Sequence, residues 1–64
     1  MVIIYRTKKS YESLLKEKDL VCEEAKLLNG SYKLRVFCYR YQEEYVRNKV
    51  KNLIPGIKEI GVKK

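Results

Sequence analysis

The side chains able to do chemistry in this chain are concentrated in residues 29–41, NGSYKLRVFCYRY. After the turn dipeptide Asn29-Gly30, Lys33, Arg35, Phe37, Tyr39 and Tyr41 fall at alternate positions. Alternation puts them on one side of a strand. Cations at that spacing can hold phosphates, and bases stack on aromatic side chains for about 1–3 kcal/mol each. The means for acid–base or metal chemistry are much poorer. Histidine is absent, Asp19 is the only aspartate, and Cys22 and Cys38 match no metal-ligand spacing. The sequence has no glycine-rich phosphate loop and no paired-carboxylate signature. The expectation is a binding protein, not an enzyme, with no catalytic residue, no metal and no small-molecule cofactor.

Charge points the same way. The 64 residues carry a formal net charge of +7. Residues 1–30 hold six Lys/Arg and five Asp/Glu, giving +1, whereas residues 31–64 hold nine and three, giving +6. A basic surplus of this kind favours polyanionic partners. It also fits a solubilising surface, and the Lys, Glu, Tyr and Ile usage is compatible with a thermophilic archaeon or its virus.

Length restricts the elements that can position these side chains. A chain of this size builds one domain, 1–64, around one core, and buries only about 60 % of its unfolded surface. Hydrophobic residues make up 45 % and charged residues 36 %, which suits an ordered globule. No apolar run approaches the ~20 residues of a membrane span, and the start, MVIIYRTKK, reverses the order of a secretory signal. A soluble cytoplasmic protein with no membrane partner is therefore expected.

Residues 2–6 read as a strand, apolar on both faces, with Val2 and Ile4 on one side and Ile3 and Tyr5 on the other. Thr7 or Ser10 can cap a helix whose stripe runs through Tyr11, Leu14, Leu15 and the stem of Lys18. Residues 19–28 admit two readings. As a helix they extend that stripe to Leu28, with Asn29-Gly30 as its stop. As a strand they form a hairpin with residues 31–39 through a two-residue Asn-Gly turn. That register sets Glu24 beside Arg35 and Cys22 beside Phe37, on the face opposite Cys38. The hairpin is preferred because turn and register agree. Residues 42–54 form a second helix with Val46, Val50, Leu53 and Ile54 inward, ended by Pro55-Gly56. The last strand places Ile60 and Val62 inward.

The expected order is β-α-β-β-α-β, a ferredoxin-like split βαβ of the α+β class, with helices on one face of a small antiparallel sheet. The alternative is a three-stranded β-α-β-α-β layer with a long first helix. The expected core contains Val2, Ile4, Leu14, Leu15, Leu34, Val36, Val46, Val50, Leu53 and Ile60. Either fold leaves the face with Lys33, Arg35, Phe37, Tyr39 and Tyr41 uncovered, and the split βαβ order adds Tyr5 from the first strand. Arg47 and Lys51 on the second helix, with Lys49 between them, are candidate phosphate contacts, a ridge that Lys58, Lys63 and Lys64 can join.

The stretch RVFCY resembles the third strand of the RNA-recognition motif, which carries a basic residue and then aromatics at alternate positions. Arg35, Phe37 and Tyr39 stand at the matching places, and Tyr5 in IIYR matches the first strand's aromatic. Val36 and Cys38 stand where that family has small residues. The resemblance covers about ten residues and implies contact with RNA or single-stranded nucleic acid. VKNLIPGIKEIGVKK is similar to the last helix and strand of ferredoxin-like modules such as heavy-metal-associated domains, without their Cys-x-x-Cys loop. Two further functions compete: a homodimer or protein-partner surface on the same face, and a small ribonuclease of the RelE-like toxin type.

Overall fold

The computed structural model describes residues 1–64 and is an α+β fold, with two helices and a four-stranded antiparallel sheet. The strands are β1 (Val2–Thr7), β2 (Val21–Lys26), β3 (Tyr32–Phe37) and β4 (Lys58–Lys63). A one-turn helix, α1 (Glu12–Leu15), lies between β1 and β2, and α2 (Glu43–Leu53) lies between β3 and β4. The spatial order is β2-β3-β1-β4, so the central pair joins the first strand to the third.

Residues 19–28 form no long helix; they contain β2, so the hairpin reading holds. Its turn differs from the expected one. Leu27 N–H donates to Ser31 O (2.8 Å) and Gly30 N–H to Leu27 O (3.0 Å), which encloses Leu28, Asn29 and Gly30 in a three-residue loop. Gly30 has φ +87°, the left-handed conformation that such a loop requires at its last position. Asn29 Oδ1 accepts from Ser31 N–H (3.0 Å) and tightens the turn. One extra loop residue shifts the pairing by one, so β2 is turned over relative to the expectation. Arg35 stands opposite Glu23, not Glu24, and Phe37 opposite Val21, not Cys22.

This register is chemically better than the expected one. Glu23 leaves the core and pairs with Arg35 on the outer face. Glu24 turns inward and accepts from Ser10 Oγ (2.5 Å) and Tyr11 N–H (3.2 Å). It thereby satisfies a backbone donor at the start of α1, where neither Thr7 nor Ser10 caps the helix. Cys22 now packs against the core, as does Cys38, and both are free thiols. The expected placement of the two cysteines on opposite faces is thus overturned.

The core is a single cluster of Ile3, Tyr5, Leu14, Leu20, Leu34, Val36, Val46, Val50 and Ile54. β1 therefore presents Ile3 and Tyr5 to the helices, the reverse of the Val2/Ile4 assignment. Both strand faces of β1 are apolar, and alternation alone cannot say which is inward. Ile4 is also buried, but outside this cluster. Leu15, Leu53 and Ile60 are exposed and do not belong to the core. Leu15 is exposed because α1 ends there, after one turn. A register break between Ile4 and Tyr5 pairs them with Gly61 and Glu59, leaving Ile60 as the extra residue of a bulge.

Ion pairs fasten α2 to its surroundings. Arg47 bonds Glu43 one turn back and Glu59 of β4 (2.8 Å). Lys49 reaches Glu17 (3.2 Å) and Asp19 (3.0 Å), and Tyr45 Oη donates to Asp19 (3.1 Å). The Lys49 hydrogen bond, with that from Tyr45, holds the Asp19 carboxyl below its usual range.

Candidate nucleic-acid interface

The sheet buries one face under the helices and leaves the other open. β1 contributes Val2, Ile4 and Arg6 to the open face, β3 contributes Lys33, Arg35 and Phe37, and β2 contributes Val21, Glu23 and Ala25. On β4, Glu59 lies on the helix side with Arg47, so Lys58, Gly61 and Lys63 fall on the open side.

Cross-strand pairing sorts these residues into rows. At one end Lys63, Val2, Phe37 and Val21 stand side by side. The middle row is Gly61, Ile4, Arg35 and Glu23. At the far end Lys58, Arg6 and Lys33 are direct neighbours across three strands, with Ala25 beyond. Apart from the Arg35–Glu23 pair, the cations of this face have no carboxylate within ion-pair distance. Like charges directly opposite one another are unfavourable in a sheet, so the fold bears a cost to keep this row together.

Of the expected site residues, Lys33, Arg35 and Phe37 share the open face as anticipated. Tyr5 does not: it is only 1 % exposed and belongs to the core. Tyr39 and Tyr41 are not on the strand either, because β3 ends at Phe37. Tyr39 starts a 3-10 turn over Arg40–Gln42, and its N–H donates to Gln42 Oε1 (3.0 Å). That turn breaks the alternation and brings the two rings together, with centroids 5.9 Å apart and planes within 3°. Both rings stay accessible, at 71 % and 84 % exposure. The pair is a ready-made stacking platform beside the Phe37 end of the sheet.

On α2, Lys51 is exposed, while Arg47 and Lys49 are committed to carboxylates. Hydrogen bonds that Arg47 donates to Glu59 and Glu43 push its pKa up. Arg6 has no place in the sequence reading, and Lys58 and Lys63, expected to extend the ridge of α2, lie on the open face instead. Their signal was present in the alternation of β1 and β4, but it acquires meaning only once β1 is known to separate β3 from β4.

Comparison with known proteins gives no match among family models, curated proteins or solved structures.

Proposed function

We propose that the protein binds single-stranded nucleic acid or RNA on the open sheet face, without catalysing a reaction. One observation carries the reading: an uncovered face sets five cations (Arg6, Lys33, Arg35, Lys58 and Lys63) against the single carboxylate of Glu23. Phe37 and the Tyr39–Tyr41 pair supply aromatic faces beside it. Cations track the phosphates and aromatics stack bases in a sequence-tolerant way. We further read the element order and the β2-β3-β1-β4 sheet as a ferredoxin-like split βαβ, the arrangement in which such an open face is expected.

The test is a fluorescence anisotropy titration with a labelled single-stranded oligonucleotide at two salt concentrations. Phe37→Ala weakens binding by about 1–3 kcal/mol and leaves the salt slope nearly unchanged. Lys33→Ala lowers the slope of log K against log salt by about 0.7 if it neutralises one phosphate. No binding at low salt, together with conversion of a dimer to a monomer by Phe37→Ala, would refute the reading. The aromatic end would then be an assembly surface, a role favoured by the groove that Met1, Val2, Val21, Phe37 and Tyr39 line there.

A further inference from the structure

The cationic row does not end at the edge of the sheet. A cleft of about 440 Å³ adjoins it, where β1 ends, the hairpin turns and the chain leaves α2 for β4. Arg6 and Lys58 line it together with Lys8, Tyr11, Asn29 and Ser31, and no Asp or Glu contributes to its wall. Its apolar side is formed by Ile54, Pro55 and Ile57. Three cations around one concavity, none neutralised by an ion pair, make an unbalanced electrostatic site. Low-dielectric walls concentrate such a field. Three cations lining one cleft suit a group with several acceptor oxygens and more than one negative charge.

We infer that this cleft is a phosphate-binding site that anchors one end of the ligand, with Arg6, Lys8 and Lys58 as its donors. The inference rests on the proposed nucleic-acid function only for the identity of the larger ligand; the phosphate site itself stands on the cleft. Two sources share the chemistry. One is an internal phosphodiester of a strand lying on the sheet. The other is a terminal phosphomonoester, whose second ionisation near pH 6 gives it almost two charges at neutral pH.

The probe is inorganic tripolyphosphate, followed by amide chemical shifts of the intact protein. Saturable shifts are expected at Arg6, Lys8, Asn29 and Lys58. The variant Lys8→Gln/Lys58→Gln loses affinity by about tenfold or more, since a single charge-assisted hydrogen bond is worth about that factor. Lys16→Gln/Lys18→Gln removes the same charge elsewhere on the protein and changes affinity less than about twofold, as expected of exposed, screened charges. Non-saturable shifts, or equal losses in the two double variants, overturn the site and leave only a diffuse positive field.

Oligonucleotides then separate this inference from the proposed function. Strand binding lost in Phe37→Ala but intact in Lys8→Gln/Lys58→Gln keeps the function and sinks the phosphate site. Tripolyphosphate binding by a protein that ignores oligonucleotides does the reverse. Tighter binding of a 5′-phosphorylated strand than of its hydroxyl form, abolished in Lys8→Gln/Lys58→Gln, assigns the site to a terminal phosphate. Equal affinity of the two strands, both weakened in that variant, assigns it to an internal one.

Discussion

Replacing Tyr5 with phenylalanine should make this protein more stable. Tyr5 lies in the core with 1 % exposure, paired across the sheet with Leu34 and Glu59. Its hydroxyl is buried and has no hydrogen-bond partner. Leaving a buried hydroxyl unpaired costs about 1–3 kcal/mol, whereas deleting the oxygen removes that cost and opens only a very small void. The ring, with most of its apolar contact, is retained. Taking the low end, a gain of about 1 kcal/mol raises the melting temperature of a domain this small by about 4–8 °C. Burial, reinforced by the negative charge of Glu59, also pushes the Tyr5 pKa up to about 12 from an ordinary 10.0. The folded state thus keeps this proton at pH values where the unfolded chain has lost it. Its contribution is complete below pH 10 and is lost as pH rises toward 12. Urea unfolding followed by far-ultraviolet circular dichroism at pH 8 and pH 11 measures both effects. Wild type should lose stability between the two, and Tyr5→Phe should lose less. A remainder belongs to Cys22, whose thiol burial pushes up to about 11, and which weakens the fold over a lower interval. A variant less stable than wild type by 1 kcal/mol or more at pH 8 would mean that the hydroxyl makes a favourable bond, and the reasoning would fail.

Val50 is 0 % exposed on the inner face of α2, so Val50→Asp places an unpaired charge in the only core. The few kcal/mol available to a domain of this size cannot absorb it, and circular dichroism should show an unfolded chain. Arg47→Ala breaks the link from α2 to Glu43 and Glu59, and should cost about 1 kcal/mol because those pairs are partly solvated. Because that guanidinium is already committed, the salt slope of oligonucleotide binding should stay at its wild-type value in Arg47→Ala. A slope lowered by about 0.7 would return Arg47 to the interface.

The elements of this fold are legible in the sequence; the faces of two strands are not. The hairpin, the second helix and its Pro55-Gly56 end follow from local signals. The first helix is shorter than its stripe predicts, because the stripe continues past Leu15 although the chain has already turned toward β2. The orientation of β1 is hidden because VIIY is apolar at every position. Cross-strand partners decide it: Ile3 opposite Val36 and Tyr5 opposite Leu34 form one apolar layer. The β2 register depends on whether Asn29-Gly30 closes a two- or a three-residue loop, and both lengths accept the same dipeptide. As for the site, Lys33, Arg35 and Phe37 were readable from alternation. Tyr39 and Tyr41 leave the alternation because the Tyr39 amide donates to the Gln42 side chain and the extended run ends.

The one-residue difference in the hairpin also shapes the electrostatics of the open face. In the expected register Glu24 would neutralise Arg35, Lys26 would join Lys33, and Cys22 would lie against Phe37. In the observed register Glu23 neutralises Arg35, Ala25 faces Lys33, and Val21 stands beside Phe37. The middle of the face is therefore nearly neutral, and its free positive charge is concentrated at the Lys58–Arg6–Lys33 end. Phe37 lies four residues from Lys33 along β3, so about 13 Å separates the aromatic end from the cationic one. A ligand with its charge at one end and its flat apolar groups at the other fits such a face in one orientation only. Under the proposed function bases lie toward Phe37, and a phosphate further along the strand reaches the cationic row. The loop closed by Gly30 limits the charge at this end, because it places Ala25 rather than Lys26 beside Lys33 and so keeps a fourth cation out of the row.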